Sequence, residues 1–434
     1  MKKLCLSLLC FISVSAFAQT EVLKATCAKK ADSMFKQTVS WRRDFHEHPE
    51  LGNREVRTAG IVANYLKSLG MEVKTGIATT GVVAVLKGGY PGPVVALRSE
   101  LDALPVTERT AVPFASKVTT TYNGQTVGVM HACGHDSHMA MLMTVAEILS
   151  SIKSQLHGSV KFIFQPAEEG VPAGEKGGAE EMIKEGVLEN PKVDVIFAQH
   201  IFSYMPAGTI TYRPGGAMAS VNDMKIVIKG KSSHGAEPWF SVDPIVTSAQ
   251  IINNLQTIVS RNINLKENPA VVTIAAINGG TRHNIIPEKV EMLGTLRAMT
   301  EADEQTLKTR VKEIVTKTAE ANGAIAEVYI PYSVHYPATY NNPALTAKML
   351  PTLQQTAGAD NVILGPPMTG SEDMSYFQEK VPGLDIFLGG MPKGSDPKNV
   401  PSNHSQDFYI DESAFPLGVK ALCNLTLDYM NKNN

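Results

Sequence analysis

The feature of this sequence that most constrains its fold is a change in the order of predicted elements near residue 222. Before that point, between residues 34 and 215, helices alternate with short apolar segments rich in branched residues. These segments cover residues 82–86, 94–97, 160–164 and 193–198. Segments of this kind are typical of buried strands in an α/β sheet. We therefore predict an α/β domain built around a buried sheet.

Beyond residue 222 the pattern indicates a different kind of unit. Asp243 followed by Pro244 is typical of a helix N-terminus, with a capping side chain and a proline in the first turn. Thr300 and Asp303 resemble a capping box before an amphipathic helix that ends near residue 321. Strands are predicted over 224–229, 271–277, 289–299 and 324–330. The resulting order, β-α-β-β-α-β, is that of a ferredoxin-like α+β unit.

The domain organisation follows from these two patterns. Because α/β material resumes at about residue 344, we predict that the ferredoxin-like unit is inserted into the α/β domain. The expected bounds are 19–221 for the first part of the α/β domain, 222–332 for the inserted unit and 333–434 for the second part.

Residues 1–18 have the composition of a signal peptide. Two lysines precede an apolar run over residues 4–14, and Ala-Phe-Ala at 16–18 gives a cleavage site before Gln19. A retained membrane anchor is the alternative, although the run is short for a bilayer span. We expect an exported protein, periplasmic or secreted, without stable membrane insertion.

The charge and the cysteines of the expected mature chain limit the classes of partner and the disulfides that can be expected. Loss of the two lysines moves the net charge from −2 to −4, and no basic cluster indicates binding to nucleic acid or to a membrane surface. Three cysteines remain, Cys27, Cys133 and Cys423. An oxidising compartment allows one disulfide among them, so at least one thiol has another role.

The stretch His131-Ala-Cys133-Gly-His135-Asp136-Ser-His138 carries the strongest chemical signal. Thiolate and imidazole are preferred ligands of zinc and similar divalent metals, and this loop brings both to the start of an apolar helix predicted over 137–152. The alternative is a capping loop whose histidines only satisfy hydrogen bonds. Asp136 is expected either to orient a ligand or to cap the helix.

Three further signals are weak when taken singly. Glu168 and Glu169 follow a predicted strand, and such a pair suits hydrolysis when one carboxylate binds metal and the other accepts a proton from water. His200 follows the next predicted strand and is expected at the same sheet edge. His404 lies in a turn far downstream. An acidic pair is more often a solvated turn, and a lone histidine is more often structural.

Together these residues resemble a known family, the metal-dependent amidohydrolases related to hippurate hydrolase and indoleacetyl-amino-acid hydrolase. This is a branch of the aminoacylase–carboxypeptidase superfamily. The matching motifs, in chain order, are Arg42-Arg43-Asp44-Phe45-His46, Pro49-Glu50-Leu51-Gly52, Glu100-Leu-Asp102-Ala-Leu-Pro105, the His131 stretch, Phe164–Glu169, Gly230-Lys-Ser-Ser-His234-Gly-Ala, Gly279-Gly280 with Asn284, Gly370-Ser-Glu-Asp373 and Asn403-His404-Ser405.

The resemblance implies a dinuclear-metal catalytic domain with an inserted lid and dimerisation domain. Two divalent metal ions (zinc, manganese, nickel or cobalt) would be held by a shared set of ligands, Cys133, His135, Glu169, His200 and His404. Glu168 would be the general base that activates the attacking water and then protonates the leaving amine. Glu100 stands where relatives place a ligand histidine, so neither it nor Asp102 is assigned to the metals.

The inserted domain has its own implied roles. His234 resembles the histidine that stabilises the oxyanion, often in the partner subunit of a homodimer. Asn284 and Arg297 are candidates for binding the substrate carboxylate, a role that the planar fork of arginine suits. For Arg297, a surface charge on an alternating strand is nearly as plausible a reading.

The function implied is metal-dependent hydrolysis of the amide bond of N-acyl amino acids or small peptides. A dipeptidase or an N-acetyl-amino-acid deacetylase is the alternative within enzymes. A catalytically inactive binding protein is the alternative from another class. An enzyme that uses the Cys133 thiol as its nucleophile, with a histidine as base, is a further alternative. The acyl group, the amino acid released and the native metal are left open.

Overall fold

The structure is a computed structural model that describes residues 19–431, and the predicted signal peptide lies outside these residues. The helices are α1 (19–33), α2 (Phe35–Glu47), α3 (Val56–Ser68), α4 (His135–Ser151), α5 (Gly178–Lys184), α6 (Pro244–Asn262), α7 (Glu301–Ala321), α8 (Pro343–Ala357), α9 (Met374–Gln378) and α10 (Phe415–Asn431), with 3-10 turns at Lys153–Gln155, Pro238–Phe240, Ala359–Asn361 and Glu412–Ala414.

The strands fall into two sets along the chain. The first set is β1 (Glu72–Ile77), β2 (Gly81–Lys87), β3 (Tyr90–Glu100), β4 (Thr119–Tyr122), β5 (Gln125–Gly128), β6 (His157–Gln165), β7 (Val195–Pro206) and β8 (Ile210–Tyr212). The second set is β9 (Gly215–Met218), β10 (Val221–Lys229), β11 (Ser233–His234), β12 (Val271–Gly279), β13 (Ile285–Ile286), β14 (Lys289–Arg297), β15 (Ile325–Tyr329), β16 (His335–Tyr336), β17 (Thr339–Asn341), β18 (Val362–Leu364) and β19 (Gly383–Met391).

The chain divides into two compact units. The first contains the described residues up to Pro214, Asn341–Gly365 and the described residues from Tyr376 onward, and the second contains Gly215–Tyr340 with Pro366–Ser375. The second unit is thus wider than the 222–332 expected from sequence. Its additions are held by backbone pairing, such as Met368 N donating to Ala217 O at 2.9 Å, and pairing of this kind leaves no periodic pattern in the sequence.

The first unit is built on an eight-stranded mixed sheet in the order β1-β2-β6-β3-β7-β19-β8-β18. The central strands β6, β3, β7 and β19 are mutually parallel, whereas β1 and β2 add an antiparallel edge. Three of the four apolar segments predicted as strands lie within β2, β3 and β6, and the fourth overlaps β7, which begins two residues later than expected at Val195. This confirms the α/β prediction. Because the central strands are parallel, their carboxyl ends lie on one side, where ligands gather in such sheets.

Helix α4 is buried on nearly every side, as its apolar composition predicts, and it packs against α2 and α10. It begins at His135, two residues earlier than expected. The prediction that Asp136 caps it is wrong, because Gly134 occupies the N-cap position with a φ of +98° and Asp136 lies inside the first turn. A Cβ at Gly134 would also come within 2.6 Å of Ile201 Cγ2, so this turn requires glycine.

The second unit has the predicted ferredoxin-like topology. Its sheet runs in the order β12-β14-β10-β15 with antiparallel neighbours, and β16 also pairs with β10. Both predicted helix caps are confirmed: Asp243 accepts the amides of Ile245 and Val246, and Thr300 accepts that of Asp303. The helices α6 and α7 bury apolar side chains at helical spacing against the sheet, which forms a separate core. No helix within residues 19–431 is long and apolar enough to cross a membrane.

Candidate metal centre

The first unit carries all five predicted metal ligands near the carboxyl ends of its central strands. Cys133 and His135 lie at the start of α4, Glu169 follows β6 and His404 lies in a turn before α10. The expectation that His200 follows its strand is wrong, because β7 continues to Pro206 through its pairing with β19. The expected location still holds, since β3 pairs with β7 only as far as Ala198.

The ligand atoms form two groups that share one sulfur. Cys133, His135 and His200 form the first group, and Cys133, Glu169 and His404 form the second, with the donor atoms of each group within 4.8 Å of one another. The Cys133 Sγ lies 3.3 Å from His200 Nε2 and 3.2 Å from His404 Nε2. His404 Nε2 is 3.1 Å from Glu169 Oε1. Cys133 is therefore placed to contribute to two adjacent cation sites.

The hydrogen bonds of two histidines leave the ligand nitrogen of each available. His135 Nδ1 donates to the Asp102 carbonyl at 2.8 Å, and His200 Nδ1 donates to the Ile201 carbonyl at 3.0 Å. In the neutral ring this pattern places the lone pair on Nε2, the atom that lies 3.3 Å from the shared sulfur in His200 and 3.7 Å from Glu168 Oε2 in His135. Asp102 also accepts the Glu169 amide at 2.9 Å, so it fixes two of the ligands.

Charge and unmet hydrogen bonding indicate that this donor set fits divalent metal ions. Within the described residues, His135 Nε2 is buried without a hydrogen-bond partner. Burial alone would lower the pKa of His135, but Asp102, together with the charge of Glu100, raises it to about 10. Burial lowers the pKa of His200 well below its usual value, so its ring is neutral. Carboxylates that favour a positive charge on His135, beside the neutral imidazole of His200, are the surroundings expected of a cation site.

Glu168 lies beside this donor set, on a turn that Glu55 holds in place. Glu55 is a residue whose role the sequence did not reveal. The Glu168 side chain is buried, and its Oε2 lies 3.7 Å from His135 Nε2. The preceding Ala167 has a φ of +51°, and its amide donates to Glu55 Oε1 at 2.9 Å. Burial, with the nearby charge of Asp102, raises the pKa of Glu55 to about 7. Glu55 therefore fixes the turn that presents Glu168.

Asn403 is a second residue whose role the sequence did not reveal. Its Nδ2 donates to the carbonyls of Cys133 and Ile201, both at 3.0 Å, and its Oδ1 accepts the Ser203 amide at 3.2 Å. The adjacent His404 has a φ of +67° and donates its own amide to the Ala132 carbonyl at 2.7 Å. Asn403 thus joins three ligand-bearing segments. The motif Asn403-His404 drew attention to the position but not to these bonds.

Two other polar residues of the His131 stretch, Asp136 and His138, form hydrogen bonds and ion pairs outside this donor set. His138 Nδ1 donates to Glu100 at 2.7 Å, while its Nε2 accepts the Ile201 amide at 2.8 Å. Asp136 forms a buried ion pair with Arg42 Nε at 2.9 Å and accepts from His46 Nδ1 at 2.7 Å. Burial opposes ionisation of Asp136, but Arg42 and His46 hold its pKa below the usual range. Asp136 therefore anchors α4 to α2.

His131 is buried without a described ion-pair or hydrogen-bond partner. Within the described residues neither of its ring nitrogens has a hydrogen-bond partner. Burial lowers its pKa to about 3, so the ring is neutral at physiological pH. It is not among the side chains grouped around Cys133.

The second unit brings two of its three candidate residues together. His234 on β11 pairs with Ile285 on β13, and the Asn284 carbonyl accepts the Gly235 amide at 2.9 Å. His234 is exposed, and its Nδ1 accepts the Ala236 amide at 3.0 Å, which places the proton of the neutral ring on Nε2. Asn284 Oδ1 is buried without a hydrogen-bond partner among the described residues.

Arg297 lies apart from these two residues. It is the last residue of β14, whereas β13 precedes the first residue of that strand, and a nine-residue strand is about 26 Å long. Its Nη1 donates to Ser371 Oγ at 3.1 Å, and burial lowers the pKa of its guanidinium. The side chain is half-buried rather than fully exposed.

The sequence model described as Peptidase family M20/M25/M40 matches residues 96–428. Thermostable carboxypeptidase 2 of Saccharolobus solfataricus is 39% identical over 93% of this chain and 99% of its own length. IAA-amino acid hydrolase ILR1-like 2 of Arabidopsis thaliana is 35% identical over 95% of this chain and 89% of its own length. N-acetylcysteine deacetylase of Bacillus subtilis is 38% identical over 92% of this chain and 98% of its own length.

A solved structure extends these likenesses to the fold. The YXEP protein of Bacillus subtilis, described as a dinuclear metal binding peptidase of the M20 family, is 33% identical and aligns with a TM-score of 0.76. The alignment covers 93% of this chain and 100% of that chain.

Proposed function

Because this chain belongs to peptidase family M20/M25/M40, and is thereby a metallohydrolase of amide or peptide bonds, we propose that it hydrolyses N-acyl amino acids. The observation that carries this proposal is the pair of ligand groups that share the Cys133 sulfur, with the Glu168 carboxylate beside them. Small peptides are the alternative substrates.

The ligands divide between two divalent metal ions. Cys133, His135 and His200 would hold one ion, and Cys133, Glu169 and His404 would hold the other. When bound, such ions polarise a carbonyl and lower the pKa of water. The set of one thiolate, three imidazoles and one carboxylate favours zinc, with manganese, nickel or cobalt as the alternatives.

Glu168 moves the proton in this reaction. Its carboxylate accepts a proton from the attacking water while oxygen bonds to the scissile carbonyl carbon. The same oxygen of Glu168 then gives that proton to the leaving nitrogen as the carbon–nitrogen bond breaks. The products are a carboxylic acid and an amine, Glu168 returns to its ionised form, and the acid then gives its proton to the amine or to solvent. Burial of the Glu168 side chain supports this role, because few water molecules then compete for the proton.

The names of the relatives support a substrate that carries a free carboxylate. A carboxypeptidase, an IAA-amino acid hydrolase and an N-acetylcysteine deacetylase would each release an amino acid from an amide. The group common to these substrates is an acylated nitrogen one carbon away from a carboxylate. Arg297 is our candidate for binding that carboxylate. It is half-buried, and among the described residues no carboxylate forms an ion pair with it.

His234 and Asn284 would serve the oxyanion and the acyl carbonyl. The Nε2–H of His234 is a donor on an exposed side chain, which is what a developing oxyanion needs. Arg297 and the β11–β13 ladder lie at opposite ends of β14, a strand about 26 Å long, so one chain would not bring all three to one small substrate. Two copies of the chain resolve this difficulty, which supports a homodimer formed through the second unit.

Export of the protein is also part of the proposal. Residues 1–18 support it by their composition alone. Expression of the whole chain in a bacterium, followed by mass determination of the periplasmic protein, should give a chain that begins at Gln19. A product that retains residues 1–18 in the cytoplasm would refute the export.

The function is tested with purified protein, a chelator and a matched set of substrates. We expect hydrolysis of N-acyl amino acids, loss of activity after chelation and recovery with zinc, manganese, cobalt or nickel. The matched controls are the corresponding N-acyl amines, which lack the carboxylate and should not be hydrolysed. Equal rates on both sets would overturn the substrate class, and full activity after complete metal removal would overturn the metal requirement.

A further inference from the structure

The N-terminal helix α1 runs along the C-terminal helix α10, and three polar contacts define the register between them. The contacts are Thr20 with Asn431 at 2.6 Å, Lys24 with Asp428 at 2.6 Å and Asp32 with Lys420 at 2.7 Å. Numbers rise on one helix as they fall on the other, so the two helices are antiparallel. Any residue of α1 therefore has a predictable neighbour on α10.

In this register Cys27 lies opposite Cys423. Both residues fall between the Lys24–Asp428 contact and the Asp32–Lys420 contact, so they lie at the same level of the helix pair. Both side chains have an exposed fraction of 0% and belong to the apolar core of the first unit. In the structure both are free thiols.

We propose that Cys27 and Cys423 are a redox modification site, and that they form a disulfide joining α1 to α10 when the protein folds in an oxidising compartment. The bond would fasten the two ends of the described chain and would restrict the unfolded state across nearly its whole length. Cys133 is left as the thiol for the metal centre. The proposal does not depend on the hydrolytic function.

The reaction needs an external disulfide as the oxidant, of the class of oxidised glutathione or a dithiol–disulfide oxidoreductase. The Cys27 thiolate attacks one sulfur of the oxidant and expels a thiolate, which forms a mixed disulfide. The Cys423 thiolate then attacks Cys27 Sγ and expels the second thiolate. The two cysteines lose two protons and two electrons, and the oxidant becomes two thiols.

Because both sulfurs are inaccessible in the folded chain, the exchange takes place before α1 closes onto α10.

The direct test is refolding of the purified chain from denaturant in a mixture of reduced and oxidised glutathione. Free thiols are then alkylated, and the chain is digested with trypsin without reduction. We expect residues 25–29 linked to residues 421–432, with Cys133 alkylated in the peptide 118–153. Alkylation of both Cys27 and Cys423, or a bridge that contains Cys133, would overturn the proposal.

Thermal unfolding provides an independent readout. The oxidised wild-type protein should melt several degrees above the same protein after reduction, whereas Cys27→Ser and Cys423→Ser should show no difference between the two conditions. Cys133→Ser is the matched control and should retain both the linked peptides and the effect of reduction. The same melting temperature for oxidised and reduced wild-type protein would contradict a stabilising bridge.

Discussion

The side-chain amide of Asn403 donates a hydrogen bond of 3.0 Å to the backbone carbonyl of Cys133, 270 residues away along the chain. The same amide donates to the Ile201 carbonyl, next to His200. One side chain therefore sets the spacing between the loop that carries the shared sulfur, the strand that carries an imidazole ligand and the turn that carries His404.

We predict that Asn403→Ala weakens metal binding by about 10- to 100-fold, because residues that orient metal ligands have effects of this size. Asn403→Asp should weaken binding as well, since a carboxylate cannot donate to the two carbonyls. Competition with a chromogenic chelator measures the affinity. The exposed neighbour Ser402→Ala is the matched control and should bind metal as the wild type does. Unchanged affinity in Asn403→Ala would show that the ligand loops hold their positions without it.

Glu55 gives a prediction about the turn before Glu168, the proposed general base. Its Oε1 accepts the Ala167 amide at 2.9 Å, and its Oε2 accepts the Thr80 hydroxyl at 2.6 Å. The Glu55→Ala variant loses both hydrogen bonds. We expect this variant to bind two metal ions per chain but to show a lower kcat, because Glu168 loses its support. Thr80→Ala removes only one contact and should have the smaller effect. If the variant instead loses bound metal in proportion to its loss of activity, Glu55 supports the metal ligands rather than Glu168.

A mixing experiment tests whether two chains share a site. His234→Ala keeps the base but lacks the oxyanion donor, whereas Glu168→Gln keeps the donor but lacks the base. If His234 acts in the partner subunit, a mixture of the two inactive variants regains activity, because one site in each mixed dimer is intact. The control mixes Glu168→Gln with His404→Ala, two changes in one unit, at the same ratio. Activity that stays at the level of the separate variants would place His234 in its own subunit's site.

The second unit offers a prediction about pH. Burial raises the pKa of Glu304, but His335, Lys308 and Asn222 outweigh this effect and lower the pKa from 4.5 to about 2. The folded state therefore binds the proton more weakly than the unfolded state does. Stability from Glu304 is fully present above pH 4.5 and is lost as the pH falls towards 2.

The corresponding measurement compares melting temperatures of wild type and Glu304→Gln across this range. The wild type should be the more stable at pH 7, and its advantage should shrink as the pH falls from about 4.5 to 2. Glu301→Gln, at an exposed position in the same helix, should give no such pH dependence. A constant difference between wild type and Glu304→Gln at all pH values would contradict the lowered pKa.

Much of the fold follows from local patterns. Asp243 and Thr300 mark the starts of α6 and α7 because a short polar side chain meets unpaired backbone amides within three residues. The apolar segments in β2, β3, β6 and β7 mark buried strands for a similar reason, since each pattern is contained in a few consecutive residues. Residue type and the ordered set of motifs were likewise enough to nominate the five ligands.

What the sequence did not reveal depends on pairs that are distant along the chain. Asn403 and Glu55 form hydrogen bonds with backbone groups. Every residue has such groups, so the identity of the bonded residue does not indicate the contact. His200 lies inside β7 rather than after it because β19, nearly two hundred residues later, extends the strand by pairing. The segment 366–375 belongs to the second unit through pairing of the same kind.

The central claim is that Glu168 moves the proton at a centre whose metals are bound by other side chains. The most direct measurement is the metal content and the kcat of Glu168→Gln, determined on the same purified sample. We predict two divalent ions per chain, as in the wild type, with kcat lower by about 10²- to 10⁴-fold, the usual contribution of a positioned acid–base group. Wild-type turnover with both metals bound would contradict the account.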